Sequence, residues 1–413
     1  MSEVTAGETA RSAAPVSAAD RIESLDVLRG FALLGILLLN ILGFGLHSSG
    51  YFNPMIGTGE HPALNLAIWA GVDVFFEGAM RALFSMLFGA GVVMFTTGLG
   101  TGSGQGKSGW LHYRRTFWLL VFGLFDAYVL LWTGDILIVY AICGALLYPL
   151  RNRKPRTLII LAAVLLVLTS LMYEGMGQVM QMGREAAAEI ARDPGVANDP
   201  EKQGLAEGWE EFSKDFLVDE AAQRVEFEQR RGSYLEAASF SAGVMNENLL
   251  FVVPVFLFWD ALAMMLLGMG FYQLGVLSGA RSRTFYLRLL IGGFAVGLLA
   301  NGWELLRAVQ TNYDLLVVFG YMQGTYHVGR LGMGLGWMGL VMLACQAGLW
   351  RALRGRLAAV GRMALSNYLL HSLLCLYIFT GAGFGLVGEL ERWVLYLIVF
   401  AIWALQLWLS PWW

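Results

Sequence analysis

Residues 25–46 read LDVLRGFALLGILLLNILGFGL, and from Val27 to Leu46 the run carries one charge, Arg29. A helix needs about 20 mostly apolar residues to cross a bilayer's hydrocarbon core. The segment 27–46 has that length and reads as a first membrane span. Ahead of it stand MSEVTAGETARSAAPVSAAD and a few further polar residues, small and poor in apolar groups. Residues 1–24 are therefore expected to be a disordered tail. No small-residue cleavage site follows the apolar run, so it is read as a retained helix and not as a signal peptide.

The composition extends this reading to the whole chain. Of 413 residues, 57% are hydrophobic and 14% charged. Soluble domains average about a quarter charged residues, so this chain could not cover its surface in water. The 51 glycines and 14 tryptophans suit close helix packing and interfacial belts. Cys143, Cys345 and Cys375 all lie in apolar runs, and an odd set without a loop member argues against a disulfide scaffold. The expected fold is all-α, a polytopic membrane bundle of about ten transmembrane helices with an external helical insertion. Spans are expected near 27–46, 66–98, 115–132, 135–150, 157–175, 249–277, 286–307, 324–349, 362–381 and 392–411. The run 66–98 is too long for one straight crossing and holds Asp73, Glu77 and Arg81 between Gly71 and Gly78. A broken helix facing protein or a cavity is expected there.

Basic residues orient the set. LRNRKPR (150–156), SGARSRTFYLR (278–288), WRALRGRLAAVGR (350–362) and HYRR (112–115) all fall on one side if ten spans alternate. The positive-inside rule makes that side cytoplasmic. Both termini are then expected in the cytoplasm of a bacterial inner membrane. Segment 176–248 falls outside, with seven basic and fifteen acidic residues, a net charge of −8. In it Leu205, Trp209, Phe212 and Phe216 recur at helical spacing, which predicts an acidic helical cap. The chain divides accordingly into a tail (1–24), a first membrane half of five spans (25–175), the cap (176–248) and a second half of five spans (249–413).

Ionisable groups inside a membrane need a partner or a task. Asp26 and Arg29, three apart, share one helix face. They form either a helix-end ion pair or, with Gly30, a place where a phosphate could approach. Asp73, Glu77 and Arg81 make a stripe at intervals of four, read either as structural pairing or as the lining of a polar cavity. Asp126 and Asp135 flank the turn WTGD; a turn cap accounts for Asp135, whereas Asp126 lies deeper. Asn301, Glu304 and Arg307 give a second polar face, and His327 with Arg330 and Asn367 with His371 share faces on later spans. For a histidine on an apolar helix the bland reading is a hydrogen-bonded packing residue. The five histidines lack metal-ligand spacing, so no metal is expected. GTGSGQGKSG (100–109) resembles a phosphate loop but lacks the strand that should precede one, and reads as a cytoplasmic linker. His47 and His61 stand in external loops, where histidine suits proton transfer.

The opening Leu25-Asp26-Val27-Leu28-Arg29-Gly30-Phe31-Ala32-Leu33-Leu34-Gly35-Ile36, followed by Asn40, resembles the start of the YeiB-like family of bacterial membrane proteins. FSMLFGAG (84–91), GDIL (134–137) and GRMALSNYL (361–369) also resemble that family's motifs, so the likeness runs from about Ser24 to the end. YeiB-like chains usually continue with a short basic and aromatic tail, so an ending at Trp413 raises the expectation of a shortened C-terminus. The family is in turn similar to the transmembrane acyltransferases, among them heparan-α-glucosaminide N-acetyltransferase and enzymes that acylate bacterial surface glycans.

This resemblance implies acyl-CoA as a cytoplasmic donor and a glycan, sugar or lipid acceptor at the outer face, with the bilayer as surroundings, no nucleic-acid partner and a homodimer as the assembly to look for. It implies Asp26, Arg29 and Gly30 as the donor-binding residues. By order along the chain it also implies His61 as general base, Asp73 as its orienting carboxylate and Asn40 as the ligand of the thioester oxygen. His47 is the substitute for His61, because the loop from Asn40 to His61 differs in length from that of the heparan enzyme. A transporter or lipid-handling protein is the alternative, suggested by the charged broken helix and the five-plus-five arrangement. A third reading is a non-catalytic sensor or assembly factor that works through its cap.

Overall fold

A computed structural model describes residues 23–97, 105–214, 220–319 and 323–412, and all its regular structure among these is helical. The expected tail up to residue 22, most of the linker at 98–104 and Phe216 lie outside the described residues. Helix α1 (Glu23–Gly45) is the axis of the bundle: 72% of its apolar stretch is buried, against 11% for the peripheral α11 (Arg283–Gln310). The broken second crossing consists of α2 (Pro62–Phe76) and α3 (Ala79–Thr97). The break has a local cause. Gly78 takes φ +63°, and a Cβ there would meet the Arg330 side chain and the Tyr326 hydroxyl at 2.9 Å. Only glycine accepts both that backbone and that neighbour.

Next come α4 (Gln105–Tyr128), the short α5 (Leu137–Leu147) and α6 (Pro155–Arg192). The HYRR motif belongs to α4, which starts ten residues earlier than expected. At 38 residues α6 is about 57 Å long and runs without interruption through the expected boundary at 175. Its far part carries the cap. There α7 (Pro200–Lys214) packs back on it, with the Leu205 carbonyl and Trp209 against Gly183, and α8 (Glu220–Arg231) follows. Phe212 of the expected apolar stripe packs against Phe319. Helix α9 (Tyr234–Glu247), a π-helical stretch (Asn248–Leu257) and α10 (Phe258–Gln273) then form one continuous rod across the expected boundary at 248. Pro254, which has no N–H to donate, lies within the π stretch, a wider turn that tolerates the missing bond.

The chain closes with α11, the short α12 (Leu315–Val318), α13 (Tyr326–Gln346), the amphipathic α14 (Arg351–Arg362), α15 (Ala364–Phe379) and α16 (Arg392–Leu409). Seven helical segments among the described residues are long and apolar enough to cross a membrane, and two shorter apolar helices accompany them. With α4, these match the ten expected crossings.

Small residues set the closest approaches. Gly293 and Gly297 of α11 face Gly332, Met333 and Gly336 of α13, and a Cβ at Gly332 would lie 2.6 Å from the Gly297 nitrogen. In membranes such close backbone contact supplies packing that hydrophobicity cannot. Gly30 is used in the same way: a Cβ there would meet the Leu357 carbonyl of α14, and one at Gly361 would meet the Asp26 carbonyl. The basic segment 350–362, expected as a loop, is therefore a helix locked against the start of α1. The start of α1 and the end of α16 share one end of the bundle, where Ser410 hydrogen-bonds Asn367 beside Val360. The cap occupies the opposite end.

Candidate functional site

At the cap end the kink between α2 and α3 faces α11 and α13 across a half-open cavity of about 60 Å³. It has room for roughly four or five waters, enough for the reacting end of a ligand but not a whole one. Its polar lining comprises Asp73 and Glu77 from α2 and its break, Asn301 and Glu304 from α11, Tyr326 and Arg330 from α13, Tyr51 and Tyr396. Both alternative readings of the sequence stripe therefore hold in part: Asp73 and Glu77 line a cavity, and Arg81 serves in an ion-pair network behind it.

That network is centred on Asp260, 2% exposed on α10. Arg330 donates Nη2 to Asp260 Oδ1, and Arg81 Nε lies 3.3 Å from Oδ2. Arg330 Nε also donates to His327 Nδ1 at 3.1 Å, so His327 carries its proton on Nε2 and donates to Thr169 Oγ1 at 2.8 Å. Arg81 Nη2 donates to the Tyr326 hydroxyl at 2.7 Å, and Tyr326 donates to Glu77 Oε1 at 3.2 Å. Tyr51 meets the other Glu77 oxygen at 3.0 Å. Two arginines and one aspartate buried together satisfy each other's charge only through such close geometry.

Two lining groups stand out for chemistry, beside a Tyr396 hydroxyl that also lacks a well-formed hydrogen bond among the described residues. Arg330 is 1% exposed and lines the cavity, yet its Nη1 has no hydrogen-bond partner among the described residues. Asp73 faces the like charges of Glu77 and Glu304. The cavity thus offers a buried cationic donor and a carboxylate with proton-accepting capacity.

The remaining expected site residues are dispersed. His61 caps the start of α2 and is twelve residues, about 18 Å of helix, from Asp73. Its carboxylate partner is Glu391 at 3.1 Å, on the surface. The Asn65 amide first, then the Glu60 backbone N–H and His61, hold Glu391 down at about 2. Asn40 is half-buried on α1 and is not among the residues lining the cavity, which Leu39 and Leu42 reach. His47 is buried against Glu226 of the cap at 3.0 Å. At the opposite end Arg29 pairs with Asp26 at 2.8 Å and lies close enough to Arg115 for the two cations to repel. Gly30 is taken up by the contact with α14, so its missing side chain serves packing. His371 follows the bland reading and hydrogen-bonds Gln406 at 2.8 Å.

Sequence reasoning missed Asp260, Tyr51, Tyr326 and Glu391. Asp260 had a readable signal, a lone acid in VFLFWDALAMML. The tyrosines had none, because a tyrosine beside an apolar run is ordinarily an interfacial anchor.

Comparison with known proteins finds relatives whose own functions are uncharacterized. A family described as "Protein of unknown function (DUF418)" matches residues 271–413. The chain is 29% identical to the uncharacterized protein YxaH of Bacillus subtilis (strain 168), over 97% of this chain and 91% of that one. It is 28% identical to the uncharacterized protein YeiB of Escherichia coli (strain K12), over 95% and 92%. Over nearly its whole length the chain is thus similar to YeiB and YxaH. An uncharacterized 39.9 kDa protein in the amylase 3' region of Bacillus acidopullulyticus is 35% identical over 38% of this chain and 42% of its own length. No solved structure matches. The stretch matched by that family of unknown function, 271–413, contributes Asn301, Glu304, Tyr326 and Arg330 to the cavity.

Proposed function

We propose that the protein is an integral membrane acyltransferase of the bacterial inner membrane, and that the cavity at the cap end is where the acyl group changes hands. The observation that carries this reading is the unpartnered Nη1 of buried Arg330 in a cavity that also presents Asp73. Acyl transfer through a tetrahedral intermediate needs a donor for the developing oxyanion and a base for the nucleophile's proton. An acceptor hydroxyl or amine would attack the thioester carbonyl of an acyl-CoA, and its proton would pass to Asp73. The carbonyl oxygen would gather charge beside Arg330 Nη1. As the new C–O or C–N bond forms the C–S bond breaks, and the CoA sulfur leaves and takes a proton. Arg29, with Arg115 close by, would hold the donor's phosphates at the opposite end of α1. From Arg29 to Asn40 is about 16 Å of helix, a distance for the pantetheine arm to cover. Asn40, which does not itself line the cavity, would take no direct part in this scheme, and neither would His61.

The test is acyl transfer by purified protein from labelled acyl-CoA to glycan, sugar and lipid acceptors. Asp73→Asn and Arg330→Gln should each lower turnover at least 100-fold, and Arg29→Ala should raise the donor KM. His61→Ala should stay active. Full turnover in Asp73→Asn would remove the mechanism.

A proton-coupled transporter is the second reading. It is favoured by the convergence of Asp73, Glu77 and Glu304 on a cavity at one end of the bundle, where charged groups commonly mark ion pathways. Substrate uptake into proteoliposomes that collapses in Asp73→Asn, with no acyl transfer in either protein, would establish it instead.

A further inference from the structure

The two aspartates around the turn WTGD form a second unusual site, and neither is among the cavity-lining residues. Asp126 is near the end of α4 and Asp135 shortly precedes α5. They are 0% and 2% exposed, and their carboxyl groups lie against each other. The surroundings are Trp132, Tyr368, the Ser372 hydroxyl beside Asp126 and the bare face of Gly123, where a Cβ would come within 3.0 Å of Asp135 Oδ2. Tyr368 is the titratable side chain facing the pair from α15, and neither aspartate forms an ion pair among the described residues.

Asp135 Oδ2 accepts the Ile138 N–H at 2.9 Å, at the start of α5. The other three carboxyl oxygens, both of Asp126 and Oδ1 of Asp135, are buried without a well-formed hydrogen bond among the described residues, and the Ser372 hydroxyl is the donor beside Asp126. Two adjacent anions with no cation among the described residues and three poorly satisfied acceptors are not a stable arrangement away from water. One proton relieves two of the three, and the Ser372 hydroxyl is beside the Asp126 carboxyl for the last. The proton cancels one charge, turns one acceptor into a donor, and joins the two groups by a short charge-assisted hydrogen bond. The helix end settles which member carries it. Asp135 has the Ile138 amide and the positive end of α5 to stabilise its charge. Asp126 has neither.

We propose that Asp126 and Asp135 constitute a buried proton-binding site, an acid–carboxylate pair with the proton on Asp126 at neutral pH. The pair is wired to the cap end of α1. Trp132, in the turn between the two aspartates, donates to the Tyr368 hydroxyl at 3.1 Å and stacks on Phe44 with ring centroids 4.0 Å apart. Ile136 N donates to the same hydroxyl at 3.4 Å. Loss of the proton would set two anions behind this turn and loosen the seat of Trp132 on α1. The site therefore makes the cap end of the bundle responsive to alkaline conditions, whatever the cavity binds.

The test uses the full-length protein in nanodiscs, read by infrared spectroscopy and by thermal unfolding against pH. At neutral pH the wild type should show a carboxylic-acid C=O band that disappears on alkalinisation, together with a fall in Tm. Asp126→Asn mimics the protonated member. It should lose that band, keep the neutral-pH Tm and show no alkaline fall. Asp73→Asn should leave the band in place, since a band lost there instead would belong to the cavity. Ser372→Ala, a milder change, should shift the band without removing it, and serves if Asp126→Asn does not fold. A wild-type band absent at neutral pH, with a Tm that rises with sodium concentration, would overturn the proposal in favour of a cation site. An alkaline fall in Tm that persists in folded Asp126→Asn would overturn it as well.

Discussion

At the scale of single residues, Asp260 does more than any other side chain to hold the candidate site. It lies between Arg330 and Arg81, and removing its charge strands both cations in the interior. Breaking a buried pair from one side costs about 3–5 kcal/mol, because the remaining charge stays buried and unpaired. Asp260→Asn, nearly equal in shape, should lower stability by about that amount in denaturant or thermal unfolding. A loss under about 1 kcal/mol would mean that water or lipid headgroups already screen the arginines. Arg81, Glu77 and Arg330 were legible in the sequence as costly intramembrane residues; Asp260 was passed over, and the pairing was not legible. Asp260 and Arg330 are seventy positions apart, and only the packing of α10 beside α3 and of α3 beside α13 brings them together. His61 shows the converse. Order along the chain suggested Asp73 as its partner, but helical rise separates them, and the loop before α16 supplies Glu391 instead.

At the scale of elements, α8 is the piece that fastens the cap. Arg230 donates to the carbonyls of Gly43, Phe44 and Leu46 at 3.0, 2.7 and 2.8 Å, which are the orphan acceptors at the C-terminal end of α1. Glu226 orients Arg230 at 2.9 Å and accepts from His47. The Ser49 N–H donates to His47 Nδ1 at 3.2 Å, so the proton sits on Nε2 and the ring is neutral. Burial pushes the His47 pKa below 6.5; Glu226 pulls upward and Arg230 adds to the lowering, with burial prevailing. A depressed histidine pKa means that the unfolded chain binds the proton more readily. The stability it contributes is therefore complete above about pH 6.5 and is lost as pH falls from there toward the folded value. Deuterium uptake in α8 should rise between about pH 7.5 and pH 5.5 in the wild type, and this acid limb should vanish in His47→Asn. An identical acid limb in that variant would place the titration elsewhere. The cap itself was legible from its charge and spacing, whereas its clamp was not: Glu226 and Arg230 read as an exposed i,i+4 pair until α1 ends beneath them.

At the scale of the whole molecule, the arrangement of the ends carries a directional claim. The start of α1, the end of α16, the turns at 151–154 and 274–282 and helix α14 all lie at one end, since Gln273 bonds the Arg151 carbonyl and Gln346 bonds those of Gly279 and Arg281. Arg153, Lys154, Arg281, Arg283, Arg351 and Arg356 cluster there. The cap is at the other end, and the basic residues of so long a segment weigh little in orientation. Ten crossings read from hydropathy returned both termini to one side, and in the folded chain the start of α1 and the end of α16 share one end, because the period of apolar runs and the placement of arginines are local properties of sequence. The positive-inside rule predicts the direction: the arginine-rich end is expected to face the cytoplasm and the cap to face outward. Single cysteines at exposed Arg153 and Asn198, in a background without Cys345, test this with a membrane-impermeant maleimide on intact spheroplasts. Cys143 and Cys375 are buried and should stay unlabelled in the folded protein. Position 198 should label in intact cells and position 153 only after permeabilisation. The reverse pattern would turn the molecule over. Arg29 would then lie outside, where acyl-CoA is not supplied, and the acyltransferase reading would fall with the orientation. The proton pair at Asp126 and Asp135 would survive the inversion, because its argument depends on burial and not on which compartment the cap faces.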